Sequence, residues 1–192
     1  MADRLFIAEP TGACRLSLRR FCYGGGETKH RCDATAVIGE DEPETQRRPD
    51  GTTRLVSGDS VPHSDPRWPS ACGCGYLFAD DDQWQVNELP WYEGNGQRFC
   101  WGIGSWDGPP GAMIRAPWRD DTPDNGCPAF VVFLPNGSHW CTRDQSSGPD
   151  GKLGPQWSVS GIAPCITVSP SIDDRSSRPW HGWIRNGELV PA

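Results

Sequence analysis

A mostly β fold, built from antiparallel hairpins with long loops, is what this sequence predicts, and three observations predict it. Glycine (23) and proline (19) punctuate the 192 residues so densely that the longest stretch lacking both is Tyr76–Leu89, which leaves no room for long helices. The apolar residues come in short runs or alternate with polar ones, the two patterns of buried and half-buried strands. The pairs Asn136-Gly137 and Asn186-Gly187 stand between apolar runs. That dipeptide favours tight hairpin turns, because both central positions take positive φ.

In chain order, Leu5-Phe6-Ile7 is a short apolar strand, and Arg15–Phe21 alternates Leu16 and Leu18 with polar residues, as a half-buried strand does. Residues 39–70 are polar and rich in Asp, Glu, Pro and Arg, and read as a long loop with a strand at Thr53–Val56. Within it, Pro62–Pro69 reads as proline-locked and extended, leading into Cys72. Asp80-Asp81-Asp82-Gln83-Trp84 could open a short helix, since acids suit a helix N-terminus. Residues 91–128 read as mixed loops carrying Trp91, Trp101, Trp106 and Trp118. Phe130–Leu134 is a continuous apolar β run, paired through Asn136-Gly137 with Ser138–Thr142. Trp157–Val159 and Ile166–Val168 are strand-like, and the chain ends in a second hairpin, Trp183–Arg185 with Glu188–Val190.

The length suits one continuous domain, or a Cys-rich module over residues 1–90 with a β-hairpin domain over 91–192 packed against it. Ten tryptophans argue against disorder, because such surfaces need burial or a partner. A net charge of −7 disfavours nucleic acid and anionic membranes, which need a basic surface. Arg15, Arg19 and Arg20, beside Lys29 and Arg31, are the one local basic stretch and read as a solvated strand face. No apolar segment approaches membrane-spanning length, and the first residues carry only a three-residue apolar run. The expectation is a chain made and folded in a reducing cytosol, where cysteines are more often metal ligands than disulfides.

Five of the nine cysteines fall within the first 74 residues. Cys72-Gly73-Cys74-Gly75-Tyr76 resembles a zinc knuckle, in which glycines let the backbone curl around the sulfurs. Its one-residue gap departs from the usual two. Four thiolates close a structural tetrahedral zinc site, and the expected set is Cys22, Cys32, Cys72 and Cys74, with Cys14 and His30 as substitutes. The competing reading is buried thiols or a disulfide. Buried thiols are also the expectation for the scattered Cys100, Cys127, Cys141 and Cys165.

Catalytic constellations are weak. His139, with Asp144, Ser146 and Ser147 downstream, offers a Ser/His/Asp reading on paper, yet no G-x-S-x-G nucleophile turn is present. A histidine on a sheet face is the simpler reading, and His181 reads as packing beside Trp180. Asp80–Asp82, Asp120-Asp121 and Asp173-Asp174 lack the EF-hand pattern, and Gly24-Gly25-Gly26 lacks the Lys-Ser/Thr of a P-loop. Trp157, Trp180 and Trp183 could form a carbohydrate or peptide platform, but packing is the plainer expectation.

Several motifs combine: Cys72-Gly73-Cys74-Gly75-Tyr76-Leu77-Phe78, Pro109-Pro110-Gly111-Ala112-Met113, Leu134–Trp140, Ile166–Ile172 and His181–Leu189. Over roughly residues 60–190 they resemble an uncharacterised family of small proteins encoded by tailed bacteriophages and prophages, notably of actinobacteria. The resemblance implies a viral origin and carries no activity or catalytic residue. The expectation is then a minor virion component without enzymatic activity, such as a capsid decoration or accessory head or tail protein. It would be stabilised by zinc and bound to other virion proteins, the major capsid protein first among them, as an oligomer or on a lattice. The alternatives are a cytosolic phage accessory protein that binds a host protein or nucleic acid through the zinc module, and a hydrolase using His139 or His181.

Overall fold

The computed structural model describes residues 3–23, 31–38, 61–80, 82–102, 108–119, 128–147 and 153–192. Sixteen strands follow one another among them: β1 (Asp3–Arg4), β2 (Phe6–Ile7), β3 (Glu9–Tyr23), β4 (Arg31–Ile38), β5 (Trp84–Gly94), β6 (Gln97–Cys100), β7 (Ala112–Arg115), β8 (Phe130–Phe133), β9 (His139–Cys141), β10 (Gln145–Ser147), β11 (Leu153–Gln156), β12 (Ser158–Ile162), β13 (Cys165–Ser169), β14 (Ile172–Asp174), β15 (Trp180–Arg185) and β16 (Glu188–Pro191). The single helical element among the described residues is a 3-10 turn at Pro117–Arg119. The mostly β expectation therefore holds. The chain divides into two compact units, one of residues 1–9, 92–99 and 107–192, the other of residues 10–91 and 100–106.

The first unit holds two four-stranded sheets, ordered β1-β16-β15-β14 and β2-β7-β8-β9, with the hairpin β12–β13 and the pair β10–β11. Its core gathers Leu5, Met113, Val132, Leu134, Trp140, Ile166, Val168, Ile172, Ile184 and Leu189, all buried. Among the described residues the strands of these sheets pair antiparallel except β2 with β7, which run parallel with Phe6 opposite Ala112. A hairpin forces antiparallel pairing, but strands this far apart in sequence are under no such constraint.

The turns refine the hairpin expectation. Asn186 and Gly187 both take positive φ (48° and 76°) and join β15 to β16 as a two-residue turn. At Asn136-Gly137 only Gly137 does so (83°). There Pro135 occupies the first turn position, where its locked φ suits a type I turn, and Gly137 follows in the left-handed region. Gly137 N donates to Leu134 O, and Leu134 N to Ser138 O, which closes a longer loop than the expected tight turn. A third pair, Asn95-Gly96 (49° and 71°), joins β5 to β6. Residues 91–128, expected to be loops, thus contain the end of β5, all of β6 and β7.

In the second unit β3 lies between β4 and β5. It pairs antiparallel with β4 from Leu16 opposite Ile38 to Tyr23 opposite Arg31. Leu18, Val61, Trp68 and Val86 form its buried core, with Leu16, Ile38 and Trp84 against them. Pro62–Pro69 is not extended. It makes two successive turns, Asp65 N to Pro62 O and Trp68 N to Asp65 O. The Asp65 carboxylate holds the second turn by accepting from Arg67 N and pairing with its guanidinium, which depresses its pKa to about 2. Among the described residues of Asp80–Trp84 no helix starts either. Asp82 turns back, accepting from Ala79 N and the Tyr76 hydroxyl, and the chain enters β5 at Trp84. The strand expected at Thr53–Val56 lies outside the described residues. Among the described residues no helix is long and apolar enough to cross a membrane.

Candidate metal centre

Two pieces of the second unit build a sulfur cluster. The first is β3, whose alternation places Leu18, Arg20 and Cys22 on one face, with 0%, 6% and 1% of their surfaces exposed. The second is the loop Ser70–Phe78. Phe78 N donates to Ser70 O and Cys72 N to Tyr76 O (2.8 Å), which closes the loop at its base, and Gly75 N donates to Cys72 O (2.9 Å) at its tip. Gly75 stands at φ +92°, in the region that favours glycine, whereas Gly73 has open space where a Cβ would be. The first glycine of the knuckle is therefore a matter of convenience, the second one of geometry.

This loop lays Cys72, buried, and Cys74, exposed, beside Cys22. The three Sγ atoms all lie within 4.8 Å of one another, and Cys22 Sγ is 3.6 Å from Cys74 Sγ. Thiolates around a tetrahedral zinc at about 2.3 Å stand about 3.8 Å apart, so the spread of the three sulfurs matches a thiolate-bound metal. Cys72 Sγ also donates to the Asp33 carbonyl at 3.7 Å.

Three of the four expected ligands thus converge. For the fourth, the backbone places Cys32 directly opposite Cys22 across the β3–β4 ladder, while its side chain lies outside the described residues, as does all of His30. Cys14 sits on the same strand as Cys22, eight residues earlier and so about 26 Å away along a straight strand, and is not one of the three. Of the later cysteines, Cys100 and Cys141 are buried, as expected, and burial pushes the Cys141 thiol pKa up. Cys165, against expectation, is exposed at the start of β13. Cys127 lies outside the described residues.

The arginines of β3 do not form one solvated face. Arg19 holds Asp33 through two hydrogen bonds, at 2.8 and 2.9 Å, and this pairing depresses the Asp33 carboxyl. Arg15 lies over the Trp91 ring, 5.9 Å from its centroid. Arg20 is buried on the opposite face, beside the cysteine loop. Sequence reasoning missed it, although the alternation Leu16, Leu18, Arg20, Cys22 already set it on the apolar side.

The histidine candidates do not assemble a triad among the described contacts. The Asp144 carboxylate caps Cys141 N at 3.1 Å and meets Arg119 at 3.2 Å, and the side chains of Ser146 and Ser147 lie outside the described residues. Desolvation lowers the His139 pKa, against the opposing pull of Asp144 and Asp174. His181 Nε2 lies 3.0 Å from Ser171 Oγ, exposed on β15 beside Trp183. The nearby Asp173 carboxylate is taken by Arg175. Trp157 and Trp140 meet edge to face within the first unit, Trp157 donating to Ser171 O, so Trp157 serves packing as expected.

Comparison with protein-family models, with curated proteins and with solved structures finds no match to this chain.

Proposed function

We propose that this protein is a zinc-stapled structural component of a phage particle, a minor virion protein of the capsid-decoration or accessory head or tail kind. The observation that carries the zinc part is the convergence of Cys22, Cys72 and Cys74, drawn from two segments fifty residues apart, into one cluster of sulfurs. Cys32 supplies the fourth thiolate. Its backbone stands directly opposite that of Cys22 on the β3–β4 ladder. Four thiolates close the coordination sphere, so the metal has no open position for substrate and acts as a clamp. A clamp suits this unit, because the binding free energy of structural zinc becomes folding free energy.

The virion assignment is supported by the resemblance of residues 60–190 to tailed-phage proteins and by an acidic, tryptophan- and proline-rich β chain. The nucleic-acid reading has less support, since Arg19 is paired with Asp33 and Arg20 is buried. Two measurements test the proposal. Purified protein should carry one zinc per chain, and cobalt in its place should give the intense thiolate charge-transfer absorption of a four-sulfur site. Metal-free protein that is fully folded would refute the clamp. Mass spectrometry of purified particles should find the chain at a fixed copy number relative to the major capsid protein. Its absence from particles, with abundance in infected cells, would refute the virion assignment and leave the zinc reading untouched.

A further inference from the structure

We infer that Arg20 is the charge-compensating residue of the sulfur cluster: a buried guanidinium set between β3 and the base of the cysteine loop, where it offsets the excess negative charge of a zinc-bound set of thiolates. The inference rests on the zinc reading. Zinc with four thiolates carries a net charge of −2, and burying that charge is costly unless a cation stands near. Arginine in turn is almost never buried unless paired, and it cannot shed its proton.

Arg20 is 6% exposed. Among the described residues it has no carboxylate partner. Its hydrogen-bond contact is a long one, Nη1 to Pro69 O at 3.3 Å, and its Nε is buried with no hydrogen-bond partner. The guanidinium lies 5.9 Å from the Trp68 ring centroid and 5.7 Å from that of Phe78. These are weak and neutral neighbours for a buried full charge. Their place in the chain is informative: Pro69 and Phe78 stand at the two ends of the loop that carries Cys72 and Cys74. Cys22 is two residues further along β3 on the same face, about 6.6 Å away between Cα atoms. The cation is therefore bracketed by the segments that deliver all three described sulfurs. The neighbouring Arg19 is already paired with Asp33.

The test compares zinc affinity, by competition with a chromophoric chelator, in the full chain and in Arg20→Met and Arg20→Lys. Loss of the charge in Arg20→Met should weaken zinc binding about tenfold to a hundredfold, the range typical of groups that support metal ligands. Arg20→Lys keeps the charge and should recover most of that loss. A double variant with Cys74→His, which lowers the net charge of the site from −2 to −1, should show a smaller effect of Arg20→Met. If Arg20→Met binds zinc as tightly as the original chain, the inference is wrong. It is equally wrong if Lys fails as badly as Met, which would make Arg20 a packing residue, or if the Cys74→His background leaves the loss unchanged. Failure of the original chain to bind zinc at all would instead overturn the zinc reading itself.

Discussion

Residues 107–192, with 1–9 and 92–99, bury a broad apolar core in which Met113, Val132, Leu134, Ile166, Ile184 and Leu189 are all 2% exposed or less. Residues 10–91 and 100–106 enclose, among their described residues, a core of Leu18, Val61, Trp68 and Val86, and set three sulfurs and a buried arginine beside it. The first unit has the ordinary source of stability, apolar surface withdrawn from water. The second also buries a full charge, the Arg20 guanidinium, which is costly to take from water without a partner. The difference teaches that the two units bring together different chemistry: one an apolar cluster alone, the other an apolar cluster with a set of sulfurs and a buried cation.

The largest effect expected from this contrast is on metal removal. A strong chelator should strip hydrogen-exchange protection from β3, β4 and the Ser70–Phe78 loop, while β8, β15 and β16 keep theirs. Binding free energies of about 10–16 kcal/mol for structural zinc in small domains set the scale of the loss. Equal loss in both units would mean that they fold as one cooperative body. No loss in either would mean that the second unit holds together without metal.

A smaller effect should come from the two glycines of the loop. Gly75→Ala forces a side chain into a left-handed conformation and should cost about 1–2 kcal/mol, with a parallel loss of zinc affinity. Gly73→Ala meets nothing within 4 Å and should change little. Thermal melts of the zinc-loaded variants separate the two. A reversed order would mean that the loop changes shape when it closes on the metal.

Legibility in the sequence followed the range of the interaction. Turns set by adjacent residues are readable: Asn186-Gly187 behaves as its dipeptide demands, and so does Asn95-Gly96, inside a stretch whose tryptophans and glycines otherwise read as loops. Pro135 shifted the neighbouring Asn136-Gly137 turn to another type, a local effect that the dipeptide alone does not carry. The Cys72-Gly73-Cys74 spacing pointed to a place where sulfurs gather, because two cysteines one residue apart on a curled loop stand close to each other. The parallel partnership of β2 with β7 left no local trace, since nothing in Phe6-Ile7 specifies the direction of a strand a hundred residues away. Nor did the turns at Pro62–Pro69, where the Asp65 side chain replaces the backbone bonds that an extended segment would have sought.

The smallest expected effect belongs to the first unit and separates it from the second by pH. Asp174 is partly desolvated, which raises its pKa. It nevertheless accepts hydrogen bonds from Ser138 Oγ (2.6 Å), Asn136 Nδ2 and Ser176 Oγ (2.9 Å), and these win, so its folded pKa lies below the ordinary value. The sign follows from linkage: a depressed carboxyl contributes stability that is complete above its unfolded pKa of about 3.9 and is lost as pH falls through the lower folded value. The loops at Leu134–Ser138 and Asp174–Arg178 should then loosen only in strong acid. The thiolate centre, whose sulfurs must be deprotonated to hold zinc, should give way at higher pH. Amide exchange at Ser138 and Ser176, followed from pH 6 to 2, reads the first event, and zinc release reads the second. Asp174→Asn should abolish the acid step at the two serines without moving zinc release. Persistence of that step in the variant would show that a group other than Asp174 ties the loops, and simultaneous loss of both signals in the original chain would dissolve the distinction between the units.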